Sequence, residues 1–92
     1  MKMNVKQSKR FKKDLKRLKR SGRYDMQKLK MVIRMLAEGE VLPEKYRNHQ
    51  LRGRMESEWE CHIEPNWLLI YDKRESELML YLLKTGSHSE IF

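Results

Sequence analysis

The spacing of the apolar residues changes along this chain, and that change limits the possible folds more than any other feature. Up to residue 38 they recur every three or four positions, which is the spacing of one face of an α-helix. After residue 50 they alternate or form short runs, which is typical of β-strands. Helices followed by strands in 92 residues predict one α+β domain spanning residues 1–92.

The first half predicts a short strand and two helices. The strand covers residues 3–7, and Ser8 is the expected N-cap of a helix at residues 9–20 that stops at Ser21-Gly22. Asp25 is the expected cap of the second helix, and Gly39 is its stop signal. The apolar stripes of the two helices consist of Phe11, Leu15 and Leu18, and of Leu29, Val32, Ile33 and Leu36. A short link between them predicts a helical hairpin.

The second half predicts strands after a loop at residues 40–50. Residues 51–55 form a weak strand, whereas Glu58–Glu64 alternates cleanly, with Trp59, Cys61 and Ile63 on one side and Glu58, Glu60, His62 and Glu64 on the other. Further strands are predicted at 67–72 and 78–85, with Gly86 ending the last one before a tail at 87–92. The N-terminal strand and the helical hairpin are therefore expected to pack on one face of an antiparallel sheet.

Charge indicates the kind of partner. The chain has 21 Lys and Arg against 13 Asp and Glu, which gives +8 and favours a polyanion, either nucleic acid or an acidic protein. The first helix carries most of this charge, and the cations predicted to contact phosphates there are Lys12, Lys13, Lys16 and Arg17. The alternative is an ordinary solvated helix face.

Other classes of protein find no support in the sequence. There is no apolar run of about 20 residues that would span a bilayer, and no signal-peptide pattern after Met1, so we expect a cytoplasmic protein without a membrane partner. Cys61 is the single cysteine, which excludes an internal disulfide and predicts a small buried residue.

Three histidines stand in three different elements: His49 in the loop, His62 in a strand and His88 in the tail. RNA carries its own nucleophile, the 2′-hydroxyl, so its cleavage needs a base, an acid and cations rather than a cofactor. Histidine can serve as base or acid near neutral pH. A three-histidine zinc site is chemically possible, but no short-range ligand pair supports it, and no metal or cofactor is expected. The histidines can also be scattered surface residues.

Several neighbours could support such chemistry. Glu60 lies on the same strand face as His62, and Arg52, Arg54 and Lys84 could stabilise charge on the phosphorus centre. The aromatic residues that could stack on bases are Tyr46, Trp67, Tyr71, Tyr81 and Phe92.

The order of these motifs resembles the YafQ branch of the RelE/ParE toxin superfamily. The resemblance rests on His49-Gln-Leu-Arg-Gly53, on His62-Ile-Glu-Pro-Asn-Trp-Leu-Leu-Ile-Tyr71, on Thr85-Gly-Ser-His88 and on Phe92, and it covers nearly the whole chain. It implies a fold like that of the microbial ribonucleases and cleavage of mRNA in the ribosomal A site. It also implies a cognate antitoxin as partner. In this branch three histidines, an aspartate and a phenylalanine form the site, and His49, His62, His88 and Phe92 match them.

Two positions depart from the branch. Asn66 stands where the branch has aspartate, and asparagine keeps hydrogen bonding but has no charge. Lys84 stands where the branch tends to have arginine, and a point charge meets a phosphate less specifically than a planar fork does. Reduced or altered activity is one consequence that these two positions allow.

The leading hypothesis is a ribosome-dependent endoribonuclease toxin held by an acidic antitoxin. In it His49 or His62 takes the 2′-hydroxyl proton, His88 protonates the 5′-oxygen, and Trp67 and Phe92 shape the pocket or stack on a base. Two alternatives stay open: a gyrase-directed toxin of the ParE branch, and a basic nucleic-acid-binding module without catalysis.

Overall fold

In a computed structural model of the chain, residues 2–51 and 58–92 are described, and they form five strands and three α-helices. In chain order these are β1 (Asn4–Gln7), α1 (Lys9–Ser21), α2 (Met26–Ala37), β2 (His49–Gln50), β3 (Glu58–Glu64), β4 (Trp67–Arg74), β5 (Met79–Gly86) and α3 (His88–Ile91). Short 3₁₀ turns cover Glu44–Tyr46 and Glu75–Glu77. Apart from Leu51, the strand predicted at 51–55 lies outside the described residues.

The predicted caps of both long helices are confirmed. The Ser8 hydroxyl accepts the backbone N–H of Phe11 at 2.9 Å, and Gly22 ends α1 with a left-handed φ of 70° that glycine adopts without strain. The Asp25 carboxylate accepts the N–H of Gln27 at 2.9 Å at the start of α2. These local hydrogen bonds explain why the helix starts could be predicted from sequence.

The strands lie in the order β1-β5-β4-β3-β2. All neighbours are antiparallel except β1 and β5, which are parallel, so the sheet is mixed. The helical hairpin is the reason: it carries the chain across one face of the sheet, and β5 later enters beside β1 running in the same direction. The predicted α+β fold is confirmed, and β1 adds one parallel pair at the edge of the predicted antiparallel sheet.

The main core lies between the helices and one face of the sheet, which we call the inner face. Its buried residues from the sheet include Cys61, Ile63, Trp67, Leu69, Tyr71, Leu80 and Leu82, and from the helices Phe11, Leu18, Leu29, Val32 and Leu36. Full burial of each large apolar side chain contributes about 1.5–3 kcal/mol. The side chains on the opposite face of the sheet, which we call the outer face, point away from the helices; on β3 these include Glu60 and His62.

The outer face is only partly open. Leu68 and Ile70 of β4 are buried there against Ile91 of α3, with Leu51 and Leu83 packed at the margin. Because β4 is covered on both sides, it is a continuous apolar run rather than an alternating one. This second cluster places α3, and with it His88, on the outer face. Within the described residues, no helix is both long and apolar enough to cross a membrane.

Candidate active site

Two of the three histidines converge on one carboxylate on the outer face. His49 in β2 lies directly opposite Glu60 in β3, and His62 lies two residues further along β3 on the same face. The Nε2 atoms of His49 and His62 are 3.2 and 3.6 Å from the same oxygen, Oε2 of Glu60. Glu60 is only 8% exposed, so its charge is largely removed from water. The predicted shared face of Glu60 and His62 is therefore confirmed.

Both imidazoles are also held at their other nitrogen. Nδ1 of His49 is 2.9 Å from the carbonyl oxygen of Arg47, and Nδ1 of His62 is 3.2 Å from that of Pro65. A carbonyl oxygen only accepts, so each Nδ1 carries a proton in these contacts. A neutral imidazole has one N–H, whereas a cationic imidazole can donate to the carbonyl and to Glu60 together. In both imidazoles Nε2 is therefore the nitrogen that faces the Glu60 carboxylate.

The segment before His49 is tethered to the core. The buried Tyr71 hydroxyl donates to Oδ1 of Asn48, and its burial raises the pKa of the Tyr71 hydroxyl. Arg47 has a left-handed backbone, with φ 46°, which directs its carbonyl towards His49. The sequence predicts only a loop here, because two-residue β2 exists only through its pairing with β3.

His88 lies in a separate element, at the start of the four-residue α3. Ser87 and Glu90 form a capping box, in which Ser87 accepts the N–H of Glu90 and the Glu90 carboxylate accepts the N–H of Ser87 at 2.8 Å. The N–H of His88 donates to Oδ1 of Asn66 at 3.3 Å. The ring of Phe92 lies 5.1 Å from that of His88, and Phe92 is 59% exposed. The Ser-x-x-Glu spacing was a signal for this helix that the prediction of an irregular tail missed.

The candidate cations divide into three groups. Lys84 is on the outer face, in the row of paired residues that runs from His49 through Glu60 and Ile70. Arg52 and Arg54 lie outside the described residues. On α1, the exposed side chains that form no ion pair with any described residue include Lys12, Lys13 and Lys16.

Arg17 differs from these lysines. Its guanidinium contacts the carboxylates of Asp14 and Glu90, and the phosphate contact predicted for it stays a prediction. The Asp14 hydrogen bond is the main reason that the pKa of Arg17 is raised.

The structure corrects the predicted use of two aromatic residues. Trp67 is 1% exposed, its Nε1 donates to the Thr85 hydroxyl at 3.0 Å, and its ring meets Tyr24 edge to face. Tyr71 is buried to the same extent. Neither ring can stack on a base, because both belong to the inner-face core. Cys61 is buried as predicted, and burial raises the pKa of its thiol to about 12.

A cleft of about 670 Å³ adjoins His62 at the edge of the sheet. It lies between the start of α2 and the 3₁₀ turn, and its lining includes His62, Lys28, Lys45, Tyr46 and Arg47. Lys28 is paired with Glu64 at 2.6 Å. The described residues contain no group of three or more His, Cys, Asp or Glu side chains arranged to hold a metal ion.

A helical hairpin packed on one face of a five-stranded mixed sheet is the RelE-like fold of small toxin domains, and the described residues match YafQ structures with this fold. The model of a family described as a bacterial toxin of type II toxin–antitoxin systems, YafQ, matches residues 3–92. This chain belongs to that family.

Individual relatives agree with this assignment. The chain is 32% identical over 90 residues to the mRNA interferase toxin YafQ of Escherichia coli (strain K12), covering 97% of this chain and 95% of the relative. The structure is similar to a metal-bound toxin from Helicobacter pylori, with 40% identity, a TM-score of 0.91 and coverage of 98% and 99% of the two chains. It is also similar to the structure of the E. coli DinJ–YafQ complex, with 32% identity, a TM-score of 0.87 and 99% coverage of both chains.

Proposed function

We propose that this chain is the toxin of a type II toxin–antitoxin pair and acts as a ribosome-dependent endoribonuclease on translated mRNA. A relative that shares 32% of its residues with the chain is named an mRNA interferase toxin. The observation that carries the proposal is the convergence of His49 and His62 on Glu60, at 3.2 and 3.6 Å, on the outer face of the sheet. A carboxylate beside two imidazoles can stabilise the cation that forms when one of them acts as a base.

In the proposed reaction the 2′-hydroxyl attacks the adjacent phosphorus. Its proton passes to the strand cluster, with His49 or His62 as the base, and Glu60 stabilises the imidazolium that forms. His49, with its side chain 51% exposed, is more accessible to an entering nucleotide than His62, at 18%. The oxygen–phosphorus bond to the next nucleotide breaks, leaving a 2′,3′-cyclic phosphate.

The leaving 5′-oxygen needs a proton, and His88 is the proposed donor. Lys84, in the same paired row as His49 and Glu60, is proposed to stabilise the negative charge that builds up on the phosphoryl oxygens. Arg52 and Arg54 remain proposed for the same role. Phe92, exposed beside the His88 ring, is proposed to stack on a base.

Two further surfaces suit an RNA substrate within the ribosome. The cleft beside His62 is wide enough to take a flanking nucleotide, and Lys45 and Arg47 on its lining are positively charged. Lys12, Lys13 and Lys16 of α1, which form no ion pair with a described residue, suit ribosomal RNA phosphates. A ribosomal substrate would place this activity in the cytoplasm.

The test is induced expression followed by mapping of mRNA ends, with wild type beside His88→Ala. We expect wild type to arrest growth and produce new 5′-hydroxyl ends within reading frames, and His88→Ala to produce neither. Ser89→Ala, one residue further along α3, is the matched control and should behave as wild type. Full cleavage by His88→Ala would overturn the role of His88. Binding of RNA without cleavage by wild type, or DNA damage without mRNA cleavage, would overturn the nuclease proposal.

We also propose a cognate acidic antitoxin as partner, because a +8 chain favours an acidic one and the similar E. coli protein is known in a DinJ–YafQ complex. Coexpression with the neighbouring reading frame should yield a copurifying small acidic protein that restores growth. Growth arrest that persists in the presence of that protein, without copurification, would contradict this partner.

A further inference from the structure

Helix α3 carries His88 but has only four residues, His88–Ile91. Isolated helices shorter than about 12 residues are marginal in water, so the position of α3 must be set by contacts with the rest of the fold. The burial of Ile91 supplies one contact. The hydrogen bond from His88 to Asn66 supplies a second contact, and further polar contacts lead from α3 to α1.

The first part of this polar network is a buried carboxylate. Asp14 of α1 is 1% exposed, and one of its oxygens accepts the backbone N–H of Thr85 at 3.1 Å. Nε of Arg10 lies 3.1 Å, and Nη1 of Arg17 2.8 Å, from its other oxygen. A buried carboxylate is tolerated only when cations and hydrogen-bond donors surround it. Breaking these contacts would leave an unpaired charge out of water, so the network is held firmly in place.

Arg17 extends the network to α3. Beside the Asp14 contact, its Nη2 donates to the carbonyl oxygen of Thr85 at 3.2 Å, and its Nε lies 3.0 Å from Oε2 of Glu90. The other oxygen of Glu90 accepts the N–H of Ser87, the residue just before His88. One planar guanidinium therefore joins α1, β5 and α3. Only arginine can do this, because its N–H groups are held in a rigid fork.

Gly86 leaves the space that this guanidinium occupies. A Cβ at residue 86 would lie 2.7 Å from Nη2 of Arg17 and 3.0 Å from Oε1 of Glu90. Its φ of 151° is also one that side-chain-bearing residues rarely adopt. Gly86, the last residue of β5, thus leaves room for the contact between Arg17 and Glu90.

We propose that Arg17 is a positioning residue for His88, acting through Glu90 and Ser87 to fix α3 against β5. The inference rests on the proposed function, in which His88 is the acid. It offers an alternative to the prediction that Arg17 contacts phosphate, and the two readings differ in a measurable way. A phosphate contact needs only positive charge, which lysine keeps. A positioning role needs three contacts from one plane, which lysine cannot make.

The experiment compares Arg17→Lys, Arg17→Gln and Glu90→Gln with wild type, and uses Arg34→Gln, an exposed arginine of α2, as the matched loss of charge. Cleavage of mRNA on purified ribosomes gives kcat and KM. NMR of the free protein reports the Ser87 amide and the His88 ring. Binding to a 2′-O-methyl RNA oligonucleotide, which has no nucleophile, is measured against salt concentration.

We expect Arg17→Lys and Arg17→Gln to lower kcat by at least tenfold with little change in KM. The Ser87 amide and His88 ring signals should shift, those of His49 and His62 should stay in place, and the salt slope of RNA binding should be unchanged. Glu90→Gln should shift the same signals while leaving the Asp14–Arg17 pair intact, which keeps the test valid if loss of Arg17 unfolds the protein. Arg34→Gln should match wild type in kcat and in these signals.

Two results would overturn the proposal. In the first, Arg17→Lys keeps wild-type kcat while Arg17→Gln loses it and lowers the salt slope by about one, the signature of a single phosphate contact. In the second, the His88 signals are unmoved in all three variants. A failure of the proposed function looks different: His88→Ala would then cleave as wild type does, while the signal shifts on loss of Arg17 would persist.

Discussion

The candidate site has two halves that are held by different forces. The strand half, His49, Glu60 and His62, is fixed by backbone pairing of β2 and β3 and by two carbonyl contacts to the imidazoles. The tail half, residues 87–92 with His88, is fixed by one buried cluster and by ion pairs that start from α1. A site built this way should respond to loss of charge differently in its two halves.

The largest effect is expected in the strand half, from Glu60→Gln. The amide keeps the shape of the side chain but has no charge to stabilise an imidazolium, so we expect kcat to fall about 10²–10⁴-fold. The free energy of unfolding should change little, because the pairing of β2 with β3 remains. Glu64→Gln, which breaks the exposed pair with Lys28, is the control and should keep kcat. A similar fall of kcat in both variants would show that the effect is not specific to Glu60.

The next effect is expected in the tail half, from Asp14→Ala. Removing this buried carboxylate takes one acceptor from each of two guanidinium groups and from the buried Thr85 N–H. We expect the free energy of unfolding to fall by about 3 kcal/mol, measured by denaturant titration.

Asp25→Ala is the comparison for Asp14→Ala, since it removes an exposed helix cap and should cost only about 1 kcal/mol. Equal losses of stability in the two variants would contradict the view that the tail half rests on a buried charge network.

The same contrast explains how much the sequence could predict. The helices, β3 and the shared face of Glu60 and His62 follow from local caps and from alternation, so they were predicted correctly. The positions of β1, β2 and α3 depend on partners distant in the chain, and the sequence predicted no parallel edge, no strand at His49 and no helix in the tail. Local patterns contain no information on such partners, although the Ser-x-x-Glu spacing was a local signal that α3 is a helix.

Burial excludes base stacking by Trp67, whereas for Arg17 our proposal offers an alternative to the predicted phosphate contact. Trp67 stands in a strand that is buried on both faces, where alternation gives no sign of which side chain points inward. Arg17 sits among lysines on a basic helix, and its role shows only in its spacing from Asp14, three residues apart on one helix face. That spacing was a signal available in the sequence.

Lowering the pH should weaken the contacts that hold α3 in the tail half, whereas the Tyr71–Asn48 hydrogen bond of the strand half should remain. Hydrogen bonds from Ser87, followed by the charge of Arg17, hold the pKa of Glu90 below its ordinary value, and partial burial opposes them. A group with a lowered folded-state pKa stabilises the fold above its unfolded pKa, here about 4.3, and this contribution is lost as pH falls through the folded pKa.

The measurement is NMR of the Ser87 amide between about pH 7 and pH 3, with Arg10, Arg17 and Asp14 as the charged neighbours of Glu90. The amide signal should move towards that of a free chain below about pH 4.3 in wild type and stay constant in Glu90→Gln. The Tyr71 hydroxyl does not titrate in this range, since burial raises its pKa, and it serves as the reference for the strand half. A Ser87 signal that stays constant in wild type over this pH range would show that the Glu90 carboxylate does not hold α3 in place.

The smallest effects are expected at Asn66, where the two halves meet, since it follows β3 in sequence and accepts the N–H of His88. An amide oxygen is sufficient for this contact, so the absence of a carboxylate need not disable the site. Asn66→Ala should lower kcat about fivefold through loss of one exposed hydrogen bond of about 1 kcal/mol. Asn66→Asp should raise kcat by no more than about fivefold, since a carboxylate at the start of a helix adds about 0.3–1 kcal/mol.

Cleavage kinetics on ribosomes for these two variants distinguish two roles of residue 66: holding His88 by a hydrogen bond, or taking part in proton transfer. Pro65→Ala, the other residue of the same turn, is the control, and it should keep kcat because the contact with His62 uses the backbone carbonyl. A rise of 100-fold or more in Asn66→Asp would mean that a carboxylate takes part in the reaction at this position. Glu60 would then not be the only carboxylate that the reaction needs, and the site would require a second one at residue 66.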